Sequence, residues 1–204
     1  MRPNNRRILI RLLLLTGWLA AGCSSSPEKS GKTMREKDDR WEAIKPTEIN
    51  NAIHLFDEQW MALAVGKRGD MNAMTISWGS LGELWGRPVV TVYVSSSRHT
   101  HGFMERNRYF TVSAFPAEYR PALIYIGTHS GREGDKLQAA GLTPRFTDLG
   151  NPIFEEANLA IECRIIYSAP FDLGRMDKEV AGIYDNGMGI HTMYIGEIVN
   201  VWKK

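Results

Sequence analysis

The feature that most constrains the fold is a series of short strand-like segments along residues 61–202. The clearest reads Val-Val-Thr-Val-Tyr-Val from Val89 onward, and β-branched and aromatic residues favour a pleated strand. The segments are Met61 to Val65, Met74 to Trp78, Val89 to Ser95, Tyr109 to Ala114, Leu159 to Ser168 and Thr192 to Trp202. Helical stretches lie among them at His99 to Asn107, Glu118 to Ile126 and Glu133 to Ala140. Because strands and helices do not alternate regularly, the sequence predicts a mainly β domain, a closed or partly closed antiparallel barrel with short helices.

The N-terminus has the pattern of an export signal. Four arginines precede an apolar run from Leu12 to Ala21, which is shorter than the roughly 20 residues of a membrane-spanning helix. The run ends in Leu-Ala-Ala-Gly-Cys at Cys23, which resembles a bacterial lipobox. Residues 1–22 are therefore predicted to be a lipoprotein signal peptide and Cys23 the lipidated residue, with an ordinary secretory signal as the alternative. Ser24 after the cysteine favours sorting to the outer membrane, so we expect a lipid-anchored protein of the bacterial cell envelope, facing the periplasm or the surface.

The rest of the chain divides into a tether and one domain. Residues 23–40 are polar and charged and predict a flexible tether, whereas residues 41–204 form the predicted domain. The chain has 204 residues, 43% of them hydrophobic, and a net charge of +2, which favours one globular domain and gives no sign of nucleic-acid binding. If Cys23 is acylated, Cys163 has no partner for a disulfide, and it is expected to be a buried apolar residue.

Three polar clusters could bind a ligand. In the segment from Asn72 to Trp78, strand alternation puts Thr75 and Ser77 on one face, although an ordinary amphipathic strand explains the same pattern. The stretch from Ser95 to His101 combines serines, Arg98 and a helix start, which suits a phosphate or a simple N-capped turn. Further along, a helix would place Arg132 and Lys136 on one face, which favours an anion between them. Asp135 is the alternative partner of these two cations.

Other chemistries find little support in the sequence. His99 and His101 have the spacing of metal ligands, but no nearby residues complete a set, so no metal site is predicted. The motifs of a Rossmann dinucleotide site, a phosphate loop and a serine-hydrolase elbow are missing from the sequence. His191 at the start of the last strand gains interest only if the other clusters converge on it. Aromatic rings beside two anion-binding elements favour a bound organic phosphate cofactor.

Six motifs in order resemble one family. They are Asn72-x-Met74-Thr75-Ile76-Ser77-Trp78-Gly79, Trp85-Gly86-x-Pro88, Ser97-Arg98-His99-Thr100, Phe110-Thr111-Val112-Ser113, Ser130-Gly131-Arg132-x-x-Asp135-Lys136 and His191-x-x-Tyr194-Ile195-Gly196-Glu197-Ile198. Together they are similar to the flavin reductase-like, FMN-binding split-barrel proteins, and most of all to the flavoredoxin-like branch. The similarity extends from about Trp60 to Trp202.

The resemblance implies a six-stranded, Greek-key antiparallel split barrel with flanking helices. It also implies a homodimer that binds FMN non-covalently at or near the subunit interface. Carried over position by position, the implied cofactor-binding residues are Asn72, Met74, Thr75, Ile76, Ser77, Trp78, Ser95, Ser97, Arg98, Thr100, Ser130, Arg132, Lys136 and His191. The first six would line the flavin, with Trp78 and Trp85 as walls or supports of the pocket. The catalytic residue is unassigned, with His191 as the candidate.

The implied function is that of a flavoprotein oxidoreductase. It would transfer a hydride or electrons through FMN to a small-molecule or protein redox partner, with NADH or NADPH as the implied donor. Two departures bear on this expectation. The branch often has an Arg-Pro pair where this chain has Val94 and Ser95, which removes one cationic contact. An envelope protein also has no nicotinamide pool to draw on, so the alternative is a lipoprotein that binds flavin or another planar ligand without NAD(P)H-dependent reductase activity.

Overall fold

The computed structural model describes residues 40–204. The predicted signal peptide, Cys23 and all but the last residue of the predicted tether lie outside these residues. Among the helices of the described part, none has the length and apolar character needed to cross a membrane.

The described chain is built mainly from β-strands. These are β1 (Glu42–Ala43), β2 (Met61–Lys67), β3 (Asp70–Ile76), β4 (Gly79–Leu84), β5 (Arg87–Ser95), β6 (Tyr109–Ala114), β7 (Pro144–Phe146), β8 (Pro152–Phe154), β9 (Leu159–Pro170) and β10 (His191–Lys203). The α-helices are short: α1 (Ala52–His54), α2 (His99–Arg106), α3 (Arg120–Thr128), α4 (Lys136–Ala139) and α5 (Lys178–Ala181). One π-helical turn follows α1 at Leu55–Gln59, and 3₁₀ turns occur at Pro46–Glu48, Ala117–Tyr119, Leu173–Arg175 and Gly182–Asn186.

One antiparallel sheet holds most of the strands. Their order is β3-β2-β6-β9-β10-β5-β4, with β1 paired to β10, while β7 and β8 form a separate pair. Strands distant in sequence are neighbours, since β6 pairs with β2 and β5 pairs with β10. All six predicted strands exist, and the prediction of a mainly β, antiparallel fold with short helices is confirmed.

Two element predictions were wrong in detail. The strand predicted from Met74 to Trp78 begins at Asp70 and ends at Ile76, and the glycine-rich stretch after it is strand β4, for which the sequence predicted no element. Pairing with β5 from Gly79 opposite Val92 onward gives this stretch the backbone hydrogen bonds that its composition does not predict. The helix predicted from Glu133 begins only at Lys136, because the carboxylate of Asp135 accepts the backbone N–H groups of Leu137 and Gln138 and fixes the start there.

The core has two parts, on the two faces of the sheet. Inside the barrel, large side chains such as Phe110, Tyr194 and Leu63 pack together, and Cys163 is fully buried among them. The expectation that Cys163 is buried is confirmed, and burial raises the pKa of its thiol well above its usual range. On the outer face, Leu123 and Ile126 of α3 belong to the second cluster, which packs this helix beside β3.

Candidate functional site

A cavity of about 480 Å³ lies where β3, the β5–α2 junction, the end of α3 and the start of β10 come together. Every predicted cofactor-binding residue lines it: Asn72, Met74, Thr75, Ile76, Ser77, Trp78, Ser95, Ser97, Arg98, Thr100, Ser130, Arg132, Lys136 and His191. The fold therefore gathers in one place residues that are separated by up to 119 positions between Asn72 and His191. That these residues contact a flavin stays a prediction.

Strand β3 forms one wall of the cavity and anchors two helices. The side-chain amide of Asn72 donates to Thr100 Oγ1 of α2 at 2.8 Å, and both residues are buried. The hydroxyl of Thr75 donates to the carbonyl of Leu123 in α3. These bonds use the Asn72 amide and the Thr75 hydroxyl as donors within the protein and so fix the wall, whereas Thr100 only accepts and keeps its own hydroxyl proton as a donor.

The β5–α2 junction presents hydroxyls and one cation. Ser95 is buried, and its hydroxyl donates to the carbonyl of Gly189 at 2.9 Å while lying 2.9 Å from Ser97 Oγ. Arg98 is the N-cap residue of α2, and its guanidinium donates to the carbonyl of Gly127 at 3.0 Å. Ser97 and Arg98 are both exposed to solvent, so their remaining donors are accessible to an anion in the cavity.

The two cations that follow α3 play different parts. Lys136 is only 8% exposed, and its ammonium donates to the carbonyls of Ile126 and His129 at 2.9 and 3.0 Å. Burial, followed by the nearby charge of Arg98, lowers the pKa of Lys136 to about 8. Arg132 precedes α4 and is exposed, so the prediction that a helix places both cations on one face was wrong. Asp135, the alternative partner, binds backbone N–H groups instead.

His191 lies beside the other polar clusters, and this convergence makes it a candidate residue of the site. It is 9% exposed at the start of β10, opposite Ser95 on β5. The ring of Trp78 lies 5.0 Å from its ring centroid, and Tyr184 Oη lies 3.2 Å from its Nδ1. Burial and then the charge of Arg98 lower the pKa of His191, so the imidazole is neutral at neutral pH.

Trp78 and Trp85, which belong to the first two motifs, lie in different parts of the structure. Trp78 lines the cavity, but Trp85 is not among its wall residues. Trp85 occupies the far end of the β4–β5 hairpin, is 63% exposed and makes an edge contact with Tyr167. The prediction that Trp78 and Trp85 wall or support the pocket was therefore wrong for Trp85, because β4 carries the chain away from the cavity.

The structure adds cavity residues that the sequence analysis did not select, namely Tyr93, His99, Ile126, Thr128, His129, Gly131, Glu133 and Met188. Gly131 had a signal, since it lies inside the Ser-Gly-Arg motif. Met188 had none, because the stretch around it has no strand or helix periodicity.

The remaining histidine of the cavity wall with a shifted pKa is His99. Burial, followed by the charges of Arg132 and other cations, lowers the pKa of His99. In the described residues, no three His, Cys, Asp or Glu side chains are grouped as a metal site.

Comparison with known proteins identifies the family of this fold. The model of the flavin reductase like domain matches residues 58–204. The chain belongs to the flavin reductase-like family. No curated protein sequence matches the chain.

Several solved structures have a similar fold. An FMN-binding domain of a flavin reductases-like enzyme from Shewanella baltica is 16% identical, with a TM-score of 0.59 over 80% of this chain and 76% of its own. An FMN-binding protein from Thermus thermophilus is 26% identical, with a TM-score of 0.58 over 76% and 75%. A flavoredoxin from Methanosarcina acetivorans is 22% identical, with a TM-score of 0.58 over 80% and 76%. These likenesses support the predicted split-barrel fold.

Proposed function

We propose that this protein is a flavoprotein oxidoreductase that binds FMN non-covalently in the cavity. The observation that carries the proposal is the combination of two surfaces in one cavity. Exposed cations and hydroxyls (Ser97, Arg98, Arg132) suit a phosphate, whereas Trp78 and the β3 backbone suit a planar ring. The FMN-binding protein from Thermus thermophilus, a relative at 26% identity, supports the choice of FMN.

The residues of the cavity fit such a ligand chemically. The phosphate would be held by Arg98, Arg132 and the hydroxyls of Ser97 and Ser130. Lys136, which binds a carbonyl near the C-terminus of α3, would add positive charge. The edge of the ring system would lie against β3, with Trp78 and His191 at its side. When bound, FMN supplies the capacity to accept and release a hydride or single electrons. The protein supplies position, hydrogen bonds and shelter from water.

The side of the cavity that would hold the phosphate is closely packed at Gly131. A Cβ atom on this residue would lie 2.3 Å from Asn72 Oδ1, so the loop carrying Ser130 and Arg132 touches the wall formed by β3. This contact keeps the loop cations beside the strand that would meet the ring.

A titration with FMN tests the binding. Purified protein should quench FMN fluorescence and acquire a visible flavin spectrum. Arg132→Ala should weaken FMN binding by about 10- to 100-fold, because charge-assisted hydrogen bonds contribute about 1.5–3 kcal/mol. Arg175→Ala is the matched control, since Arg175 is highly exposed and does not line the cavity. A protein that stays colourless and ignores added FMN would contradict the proposal.

We further propose that the bound FMN can take a hydride from NADH or NADPH, which the protein would meet before export, because an envelope protein has no nicotinamide pool to draw on. Anaerobic addition of NADH to the FMN-loaded protein should bleach the flavin absorbance. If a large excess of either nucleotide leaves the absorbance unchanged while dithionite bleaches it, the donor proposal is wrong. The protein would then be a flavin-binding lipoprotein without reductase activity of this type.

The sequence also supports attachment to the envelope through Cys23. We propose that the mature protein is lipid-anchored at this residue. Cys23→Ala should move the protein from the membrane fraction to the soluble fraction of its host cell, whereas Cys163→Ala should leave its distribution unchanged because Cys163 is buried in the barrel. Retention of the Cys23→Ala protein in the membrane fraction would argue against this anchor.

A further inference from the structure

Residues 171–190, the connection between β9 and β10, contact the cavity from a side that no sequence motif marks. Met188 lines the cavity, and the carbonyl of Gly189 accepts the hydroxyl of Ser95. Tyr184, in the 3₁₀ turn of the same connection, reaches the imidazole of His191. This contact links residues 171–190 to His191, the titratable ring that lies beside Trp78.

His191 is held by contacts on several sides. Trp78 lies against it with ring centroids 5.0 Å apart, and Tyr184 meets it edge-on with centroids 5.7 Å apart. The Tyr184 hydroxyl is 3.2 Å from Nδ1. Within residues 40–204, Nε2 makes no hydrogen bond, so it is the ring nitrogen that remains for a molecule in the cavity.

The direction of the Tyr184–His191 hydrogen bond follows from the charges of the two groups. Burial and Arg98, at the N-cap of α2, lower the pKa of His191, while burial raises the pKa of Tyr184. Both groups are therefore neutral at neutral pH. Between a neutral phenol and a neutral imidazole, the phenol is the stronger acid and the unprotonated ring nitrogen the stronger base. The Tyr184 O–H thus donates to Nδ1, and the ring proton lies on Nε2.

We propose that Tyr184 is a positioning residue that fixes His191 in the tautomer with its proton on Nε2. The cavity then offers an imidazole N–H donor to an electron-rich atom of a planar ligand. Only the identity of this ligand as FMN rests on the proposed function; the tautomer itself is a property of the protein alone.

Nitrogen-15 NMR of histidine-labelled protein without ligand tests the tautomer. The chain has five histidines, and His191→Gln identifies the His191 signals by their loss. We expect Nδ1 to give the signal of an unprotonated ring nitrogen and Nε2 that of a protonated one. Tyr184→Phe removes only the hydroxyl and should shift the balance toward the Nδ1–H form. Tyr167→Phe is the matched control, because Tyr167 is 44% exposed and contacts Trp85 instead.

Two results would overturn the proposal: a proton on Nδ1 in the native protein, or an unchanged tautomer balance in Tyr184→Phe. Thermal denaturation of both tyrosine variants shows whether the fold survives.

A second measurement connects the tautomer to redox chemistry. In the FMN-loaded protein, an N–H donor stabilises the more electron-rich reduced flavin. Tyr184→Phe should therefore lower the midpoint potential while changing the affinity for oxidised FMN by less than about threefold. An unchanged potential would contradict a role in tuning the ligand. If FMN does not bind at all, the proposed function fails, and the NMR experiment alone still decides the role of Tyr184.

Discussion

At the scale of single residues, Gly131 has the tightest requirement in the site. Any Cβ there would lie 2.3 Å from Asn72 Oδ1, and Asn72 is itself buried and bonded to Thr100. We predict that Gly131→Ala displaces the loop, lowers the free energy of unfolding by about 1–3 kcal/mol as overpacking does, and weakens FMN binding. Denaturant unfolding and FMN titration measure the two effects.

Gly102→Ala serves as the control for Gly131→Ala. Gly102 lies in α2, and a Cβ there would meet no atom within 4 Å. Because alanine favours a helix interior, this variant should gain about 0.5–1 kcal/mol in stability and bind FMN normally. Equal FMN affinities for the two variants would show that the Gly131 contact does not shape the site.

Trp85 is strained by the turn it occupies. It and Gly86 form the two-residue connection between β4 and β5, with φ of 56° and 70°, a left-handed conformation that costs an ordinary residue about 1–2 kcal/mol. We predict that Trp85→Asn, which creates the Asn-Gly pair favoured in such turns, raises the melting temperature in dilute protein. A lower melting temperature would mean that the exposed ring stabilises the fold through contacts stronger than its edge contact with Tyr167.

At the scale of elements, the C-terminus of α3 sets the electrostatics of the site. Its carbonyls carry partial negative charge, and they accept hydrogen bonds from Lys136 and from Arg98. Lys136 has a pKa of about 8, whereas the second ionisation of a phosphate monoester lies near 6. Below pH 6 the phosphate loses charge, and above pH 8 Lys136 does. We therefore predict that FMN affinity is greatest between about pH 6 and 8 and falls at pH 9, as fluorescence titration across this range measures.

Lys136→Arg is the variant that isolates this effect. Its guanidinium keeps its charge throughout the range, so the fall in affinity above pH 8 should disappear. Lys136→Met should bind more weakly at pH 7 and show no fall near pH 8. A native protein whose affinity is constant from pH 7 to 9 would show that the charge of Lys136 does not reach the ligand.

The strands and the connections between them show how much of the structure could be predicted from the sequence. Strand β5 was predicted because Val-Val-Thr-Val-Tyr-Val has strong local strand preference. That the motifs lie together at one site was predicted from their order along the chain. Strand β4 was missed because its Gly-Ser-Leu-Gly-Glu-Leu sequence has little strand preference, and only pairing with β5 makes it a strand. Tyr184 was missed because its contact with His191 depends on the path of residues 171–190, which no periodicity indicates.

At the scale of the whole molecule, the cavity is incompletely covered by the described residues. Trp78 is 43% exposed, and Ser97, Arg98 and Arg132 also face solvent. A planar ligand at this wall would stay partly open to water, which weakens the hydrogen bonds that tune a redox cofactor. A second copy of the chain that covers this side would remove the exposure, which is consistent with the homodimer implied by the family resemblance.

We therefore predict a homodimer whose association is coupled to FMN binding. If the second copy covers the site, linkage requires that FMN strengthens the dimer by the same free energy by which dimerisation strengthens FMN binding. Sedimentation velocity over a dilution series, with and without FMN, measures this coupling, and Trp78→Ala should reduce it because its ring lies at the cavity wall. A monomer that binds FMN with the same affinity at every protein concentration would show that one chain completes the site. The exposed wall at Trp78 would then be the side from which the redox partner reaches the flavin.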